Sequence, residues 1–301
     1  EAEQIEDAKQ MEEAEQIEDA KQMEEAEQIE GAEQMEPKDQ MNGAEQTDEM
    51  EATEQTKGIE HTLLEDLRSK ITNDFPLLSS VSYEIKYVDE SLQDYLSPAF
   101  YLTPAIDSYT DNVIYINPAS GYSGLELYTT LAHEGYPGHL YQSVYFASQS
   151  PDLLRFLLDV GGYTEGWATY VEMYAYSLYD GDDADGTEAA LGRLNRSFTL
   201  GIASLLDIGI HYRGYTSGEV SEFLARLGFS ESTADVLYEA ILESPANYLQ
   251  YYVGCLNFWS LRDRLEESVD GFSLKKFHQA VLETGPAPFA ILEEQCLKKL
   301  S

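Results

Sequence analysis

Two histidines, His133 and His139, enclose the run Glu134-Gly135-Tyr136-Pro137-Gly138, and this short stretch limits the possible folds more than any other part of the chain. On a regular helix six steps turn about 240°, so the two rings would diverge. Pro137 has no N–H to give to the His133 carbonyl, and its ring crowds that turn. The helix must therefore bulge, kink or restart between Tyr136 and His139, and such a break brings His139 back beside His133. Neutral imidazoles ligate zinc, and a carboxylate next to a ligand can act on a metal-bound water. The usual zinc-hydrolase pattern, His-Glu-x-x-His, keeps its histidines four apart on one helix face. The plain alternative is a Pro-Gly turn with two incidental histidines. Only five histidines occur in the chain, and this spacing is unusual, so we favour the metal reading.

The surface charge restricts partners. The 301 residues carry a formal charge of −38, from 56 acidic and 18 basic side chains. Such a surface repels nucleic acid and anionic lipid. No apolar run approaches the roughly 18 residues of a membrane span. Cys255 and Cys296 are too few for a zinc knuckle and are expected to be two buried free thiols. No signal peptide is read in the sequence, and two cysteines leave the compartment undecided.

Residues 1–57 differ from the remainder. A twelve-residue unit recurs at Ala2–Glu13, Ala14–Glu25 and, varied, Ala26–Pro37, and the segment carries a net charge of −17 without one aromatic residue. Its apolar positions fall every third residue (Ala2, Ile5, Ala8, Met11), so the stripe drifts around a helix and forms no sustained seam. A disordered or lone-helical acidic tail is expected, with no contacts to the rest. Residues 58–301 then form the folded domain.

Within that domain Glu60–Ile71 has helical spacing, Val81–Val88 alternates as a strand does, and Asn112–Ile116 is rich in β-branched and aromatic residues. A small antiparallel sheet is expected just before the helix that bears the motif. An edge strand near a cleft can bind an extended peptide by strand addition. After Ser123 the chain reads as almost all helix: Leu125–Ser148, Tyr163–Tyr179, Thr187–Tyr212, a helix capped at Thr216–Glu219, helices opening at Ser230, Pro245 and Ser273, and Pro288–Leu300. Gly181–Gly186 is rich in aspartate but lacks the EF-hand order and reads as a solvated turn. The fold class is mainly α, within α+β.

A catalytic zinc needs three protein ligands and an open position. His133 and His139 give two, and a second element must give the third. Glu165 and Glu172, seven apart and near one helix face, are the candidates. Trp167, Ala168 and Val171 around them suggest a helix packed into the core, where a carboxylate needs a partner. We favour Glu165 as ligand and place Glu172 behind the ligands, in support of the site.

The stretch His133-Glu134-x-x-Pro137-Gly138-His139-x-x-Gln142, followed by Glu165-Gly166-Trp167-Ala168-x-Tyr170-x-Glu172, resembles the bacterial domain-of-unknown-function 885 family. Asp207–Thr216, Pro245–Gly254 with Tyr251, and Phe277-His278-x-x-Val281-Leu282-x-x-Gly285 look like further blocks of it, over roughly residues 75–300. The stretch is also similar to helical zinc carboxypeptidases. The resemblance implies a zincin-like helical fold with His133, His139 and Glu165 as ligands and Glu134 as base. Members commonly have a second His after the motif's last one, where this chain has Leu140. They also run longer on the N-terminal side.

The chemistry expected is peptide hydrolysis. Zinc lowers the pKa of its water to about 7 and polarises the scissile carbonyl. Glu134 takes the water proton and delivers it to the leaving amine. His211 and Tyr251 are candidates to stabilise the oxyanion, with Gln142 and Arg213 as supporting or substrate contacts. The alternatives are a zinc amidohydrolase on a small non-peptide amide and a non-catalytic acidic interaction protein.

Overall fold

The computed structural model describes residues 58–78, 81–106, 110–181 and 186–300. The acidic repeat and most of the Gly181–Gly186 loop lie outside them. The described residues are mainly helical. Helix α1 (Ile59–Lys70) leads into three short strands, β1 (Tyr83–Tyr87), β2 (Ala99–Leu102) and β3 (Asn112–Ile116). Helices follow: α2 (Gly124–Glu134), α3 (His139–Ser148), α4 (Gly161–Ala175), α5 (Thr187–Asp207), α6 (Ser217–Ala225), α7 (Glu231–Glu243), α8 (Asn247–Ser268), α9 (Leu274–Thr284) and α10 (Phe289–Leu300). None of them is long and apolar enough to cross a membrane.

The sheet corrects one expectation. Its order is β1-β3-β2, and only β2 runs antiparallel to β3, with Ala99 opposite Ile116 and Leu102 opposite Val113. β1 is parallel to β3, from Tyr83 opposite Asn112 to Tyr87 opposite Ile116. A parallel pair needs a long crossover, and here the segment 88–111 supplies it by carrying β2 to the far side. β2 is therefore an edge strand, and it packs against α2.

The long motif helix divides in two. α2 stops at Glu134, and α3 starts at His139. Between them the Tyr136–Pro137 peptide is cis. The Trp167 indole N–H donates to the Pro137 carbonyl over 3.0 Å, which ties the break to α4. Gly138 passes so close to α2 that a Cβ there would lie 1.6 Å from the His133 carbonyl oxygen.

α4 and α8 form the tightest helix pair. A Cβ on Gly166 would lie 2.6 Å from the Gly254 Cα, and one on Gly254 would lie 2.5 Å from the Gly162 carbonyl oxygen. The two backbones thus meet with no side chain between them. Trp167, Tyr170, Phe258 and Phe75 pack around this contact, and Phe75 stacks on His278 with centroids 3.9 Å apart. A second apolar cluster joins the C-terminal half of α5 to α6, α7 and the start of α8, with Leu206, Val220, Leu224, Ile241 and Tyr248 at its centre. α5 ends in a π-helical turn, Ile208–Tyr212, in place of the continuous helix expected to Tyr212. Side chains of Thr216, Ser230 and Ser273 cap the helices they precede, Thr216 within a full capping box with Glu219. Cys255 and Cys296 are buried and free.

Candidate metal centre

The site lies where α2, α3 and α4 converge behind the edge strand. Breaking the helix after Glu134 turns the second imidazole back toward the first: the His133 and His139 rings are 4.9 Å apart, at 77° to each other. Ligand-capable atoms of His133, Glu134 and His139 all fall within 4.8 Å of one another. From α4, Glu165 Oε2 comes to 3.6 Å from His133 Nε2 and 3.4 Å from His139 Nε2. His133, Glu134 and His139 are buried, and Glu165 is partly so.

The hydrogen bonds separate the two carboxylates. Glu134 Oε2 accepts the backbone N–H of Tyr101 in β2 over 2.8 Å. Glu165 Oε2 and His133 Nε2 are buried and have no hydrogen-bond partner; at 3.6 Å they are too far apart to bond each other. A buried polar atom without a partner is costly. Here two such atoms face the same space beside His139 Nε2. Glu165 therefore fits a ligand position better than Glu134 does, although Glu134 is the closer neighbour of the histidine pair in sequence.

Behind the histidines, Glu172 Oε2 lies 3.0 Å from His133 Nδ1. Arg196, on α5, donates from Nε to Glu172 Oε1 over 2.8 Å and from Nη2 to Oε2 over 3.4 Å. Burial alone would lift all three carboxyls. It does so for Glu134, where it outweighs the pull of both histidines. Glu165 goes the other way, because His139 and His133 outweigh burial and hold its carboxyl well below the ordinary range. Glu172 is lowered too, with Arg196 the main counterweight to burial. Burial disfavours a charged His133, but the flanking carboxylates of Glu165 and Glu172 overcome it and raise its pKa. The pocket thus favours positive charge between its histidines and carboxylates.

The remaining expected residues divide. Tyr251, on α8, is buried and its ring lies parallel to that of His133 at 6.1 Å. Gln142 is buried one turn after His139, and its Nε2 has no hydrogen-bond partner. His211 sits in the π-helical turn with a ring nitrogen 2.8 Å from the Ile241 carbonyl, so its described contact is with α7 in the second cluster. Exposed Arg213 reaches Tyr215 there. Two site contacts escaped the sequence reading. Arg196 lies on the buried face of α5 with Ala189, Thr199, Leu200 and Ala203; an arginine at that spacing calls for a buried anion. The Tyr101 contact is a backbone N–H, for which no residue type could be a signal.

The comparisons agree with this architecture. A family model described as "Bacterial protein of unknown function (DUF885)" matches residues 3–296. The chain belongs to this family. Among solved structures it is similar to a "putative lipoprotein" of Colwellia psychrerythraea, with 27% identity and a TM-score of 0.72 over 83% of this chain and 43% of that one. It is also similar in fold to a "putative lipoprotein of unknown function" of Shewanella oneidensis, at 19% identity and a TM-score of 0.61, over 96% of this chain and 55% of that one. The chain thus spans about half the length of either structure. No curated protein matches it.

Proposed function

We propose that this family member is a zinc-dependent metallopeptidase with a zincin-like site, in which His133, His139 and Glu165 hold the metal and Glu134 is the general base. One observation carries the reading: His133 Nε2 and Glu165 Oε2, both buried and without hydrogen bonds, converge beside His139 Nε2. Two nitrogens and one carboxylate oxygen form a donor set suited to zinc. Charge points the same way. The flanking carboxylates of Glu165 and Glu172 favour positive charge at His133 against its burial, and a cation between the histidines and Glu165 would meet the same demand.

When bound, zinc supplies Lewis acidity and acidifies a water molecule. The chain's own residues handle the proton. Glu134 has one carboxylate oxygen fixed by the Tyr101 amide, and burial raises its basicity, which suits a group that takes up a proton and then releases it to a leaving amine. Tyr251, stacked near His133, is the nearer of the two expected oxyanion donors. The edge strand favours a peptide over a small amide. β2 has one side unpaired in the sheet, and its amide at Tyr101 already points toward the base, so an extended chain could align there. A place at the bacterial cell surface is consistent with the two structures described as lipoproteins.

The test is metal analysis of the purified chain, followed by digestion of a random peptide library. Near-stoichiometric zinc with cleavage that a chelator abolishes is expected. Zinc without peptide cleavage would move the assignment to another amide, and a chain that binds no zinc would leave an interaction protein.

A further inference from the structure

We infer that Arg196 is a positioning residue for the metal centre, acting through Glu172 on His133; this rests on the zinc reading above. The chain of contacts is continuous. A neutral imidazole ligating through Nε2 must carry its proton on Nδ1, and that N–H needs an acceptor. Glu172 Oε2, 3.0 Å from His133 Nδ1, is the acceptor. A glutamate reaching out of α4 has three rotatable bonds, and nothing in its own helix fixes the plane of its carboxylate. Arg196 fixes it with a two-pronged contact, Nε to Oε1 at 2.8 Å and Nη2 to Oε2 at 3.4 Å. Arg196 and Glu172 are both buried. α5 therefore takes part in the site without touching it, and the ring of His133 is held from a helix whose first residue lies more than fifty positions away in sequence.

The alternative role for Arg196 is only to neutralise a buried carboxylate and pack α5 on α4. The two roles differ in sign. A buried guanidinium repels a nearby cation, so loss of Arg196 as a charge alone would tighten zinc binding. Loss of Arg196 as a clamp would loosen it. Supporting partners of this kind typically change metal affinity by about 10- to 100-fold.

The experiment measures zinc affinity of the whole chain by competition with a chromophoric chelator, for the wild type, Arg196→Met, Arg196→Lys, Glu172→Gln and the double variant Arg196→Met/Glu172→Gln. Arg196→Met and Glu172→Gln are each expected to weaken zinc binding by about 10-fold or more. The double variant is expected to be little weaker than Glu172→Gln alone, because both act through one contact. Lysine is a point charge that cannot fork across both carboxylate oxygens. Arg196→Lys should therefore lose several-fold in affinity, and it decides the question if the methionine variant does not fold. Unchanged or tighter zinc binding in the arginine variants, or losses that simply add in the double variant, would overturn the inference. A wild-type chain that binds no zinc would instead remove the metal reading itself, and the inference with it.

Discussion

The backbone N–H of Tyr101 donates to Glu134 Oε2 over 2.8 Å, which fastens the edge of the sheet to the last residue of the helix carrying His133. This contact holds one of the two carboxylate oxygens. Glutamine at 134 keeps an acceptor for the Tyr101 amide but cannot take up a proton. Glu134→Gln should therefore lower turnover of a cleaved peptide by roughly 10²- to 10⁴-fold while zinc content stays as in the wild type. Loss of zinc in this variant, measured by atomic emission, would make Glu134 a ligand instead.

Metal removal should also act on stability. A ligand that binds only the folded chain stabilises it by about 4 kcal/mol at a thousand-fold excess over its Kd. For a domain of this size that corresponds to a melting temperature lower by roughly 10 °C once a chelator has stripped the site. Zinc should restore the transition, and magnesium should not, because two imidazoles suit zinc and not a cation that demands oxygen ligands. His133→Ala, His139→Ala and Glu165→Ala should each lower bound zinc and lose the chelator effect. A melting curve indifferent to chelator in the zinc-loaded wild type would contradict this.

Gly254 is expected to tolerate nothing larger. A methyl group there would lie 2.5 Å from the Gly162 carbonyl oxygen and 2.7 Å from the Gly166 Cα, and neither of these backbone atoms can turn aside. α4 and α8 would have to separate. Overpacking of this kind costs about 1–3 kcal/mol. Gly254→Ala should lower the urea midpoint accordingly, and it should weaken zinc binding as well because Glu165 rides on α4.

His278 should give the domain an acid-sensitive term. Its Nδ1 lies 2.6 Å from the Asp74 carbonyl and its Nε2 lies 2.9 Å from the Tyr170 hydroxyl. The ring therefore donates to Asp74 and accepts from Tyr170 while neutral. Burial holds its pKa down at about 3, far below the ordinary 6.5. Above about pH 6.5 both folded and unfolded chains hold the ring neutral, and its contribution is complete. As pH falls below that, the unfolded chain gains a proton that the folded one refuses, so stability declines. Between about pH 6.5 and 5 the loss should reach roughly 2 kcal/mol. His278→Gln should be less stable overall but lack this slope. Urea titrations across that window test it: equal slopes in the two proteins would show that His278 does not titrate this way.

Much of the site could be read from single residues because their chemistry is local. Pro137 cannot serve the His133 carbonyl, so the helix had to break there, and α2 and α3 are separate elements. The sevenfold spacing of Glu165 and Glu172 on an apolar helix placed both on the side that meets His133. The partners of the sheet could not be read so simply. β2 is four residues between two prolines, too short for alternation to show. Strand direction depends on which neighbour a strand finds, and the crossover through 88–111 sets that, not the composition of β1. His211 follows the same rule. A lone histidine states its capacity for hydrogen bonding but not its partner, and the π-helical turn brings it to Ile241. Arg196 was legible only in part: its helical spacing marks it as buried, while its anion lies on another helix.

The tight passage at Gly138 fixes a distance as well as a turn. Any side chain there would displace the His133 carbonyl oxygen, 1.6 Å from where its Cβ would stand. The spacer that joins the two imidazoles thus has no room for a side chain at its last position. In a saturation library the pair would behave as one heritable unit: position 138 should accept glycine alone, and single-residue insertions anywhere from 135 to 138 should be as poorly tolerated.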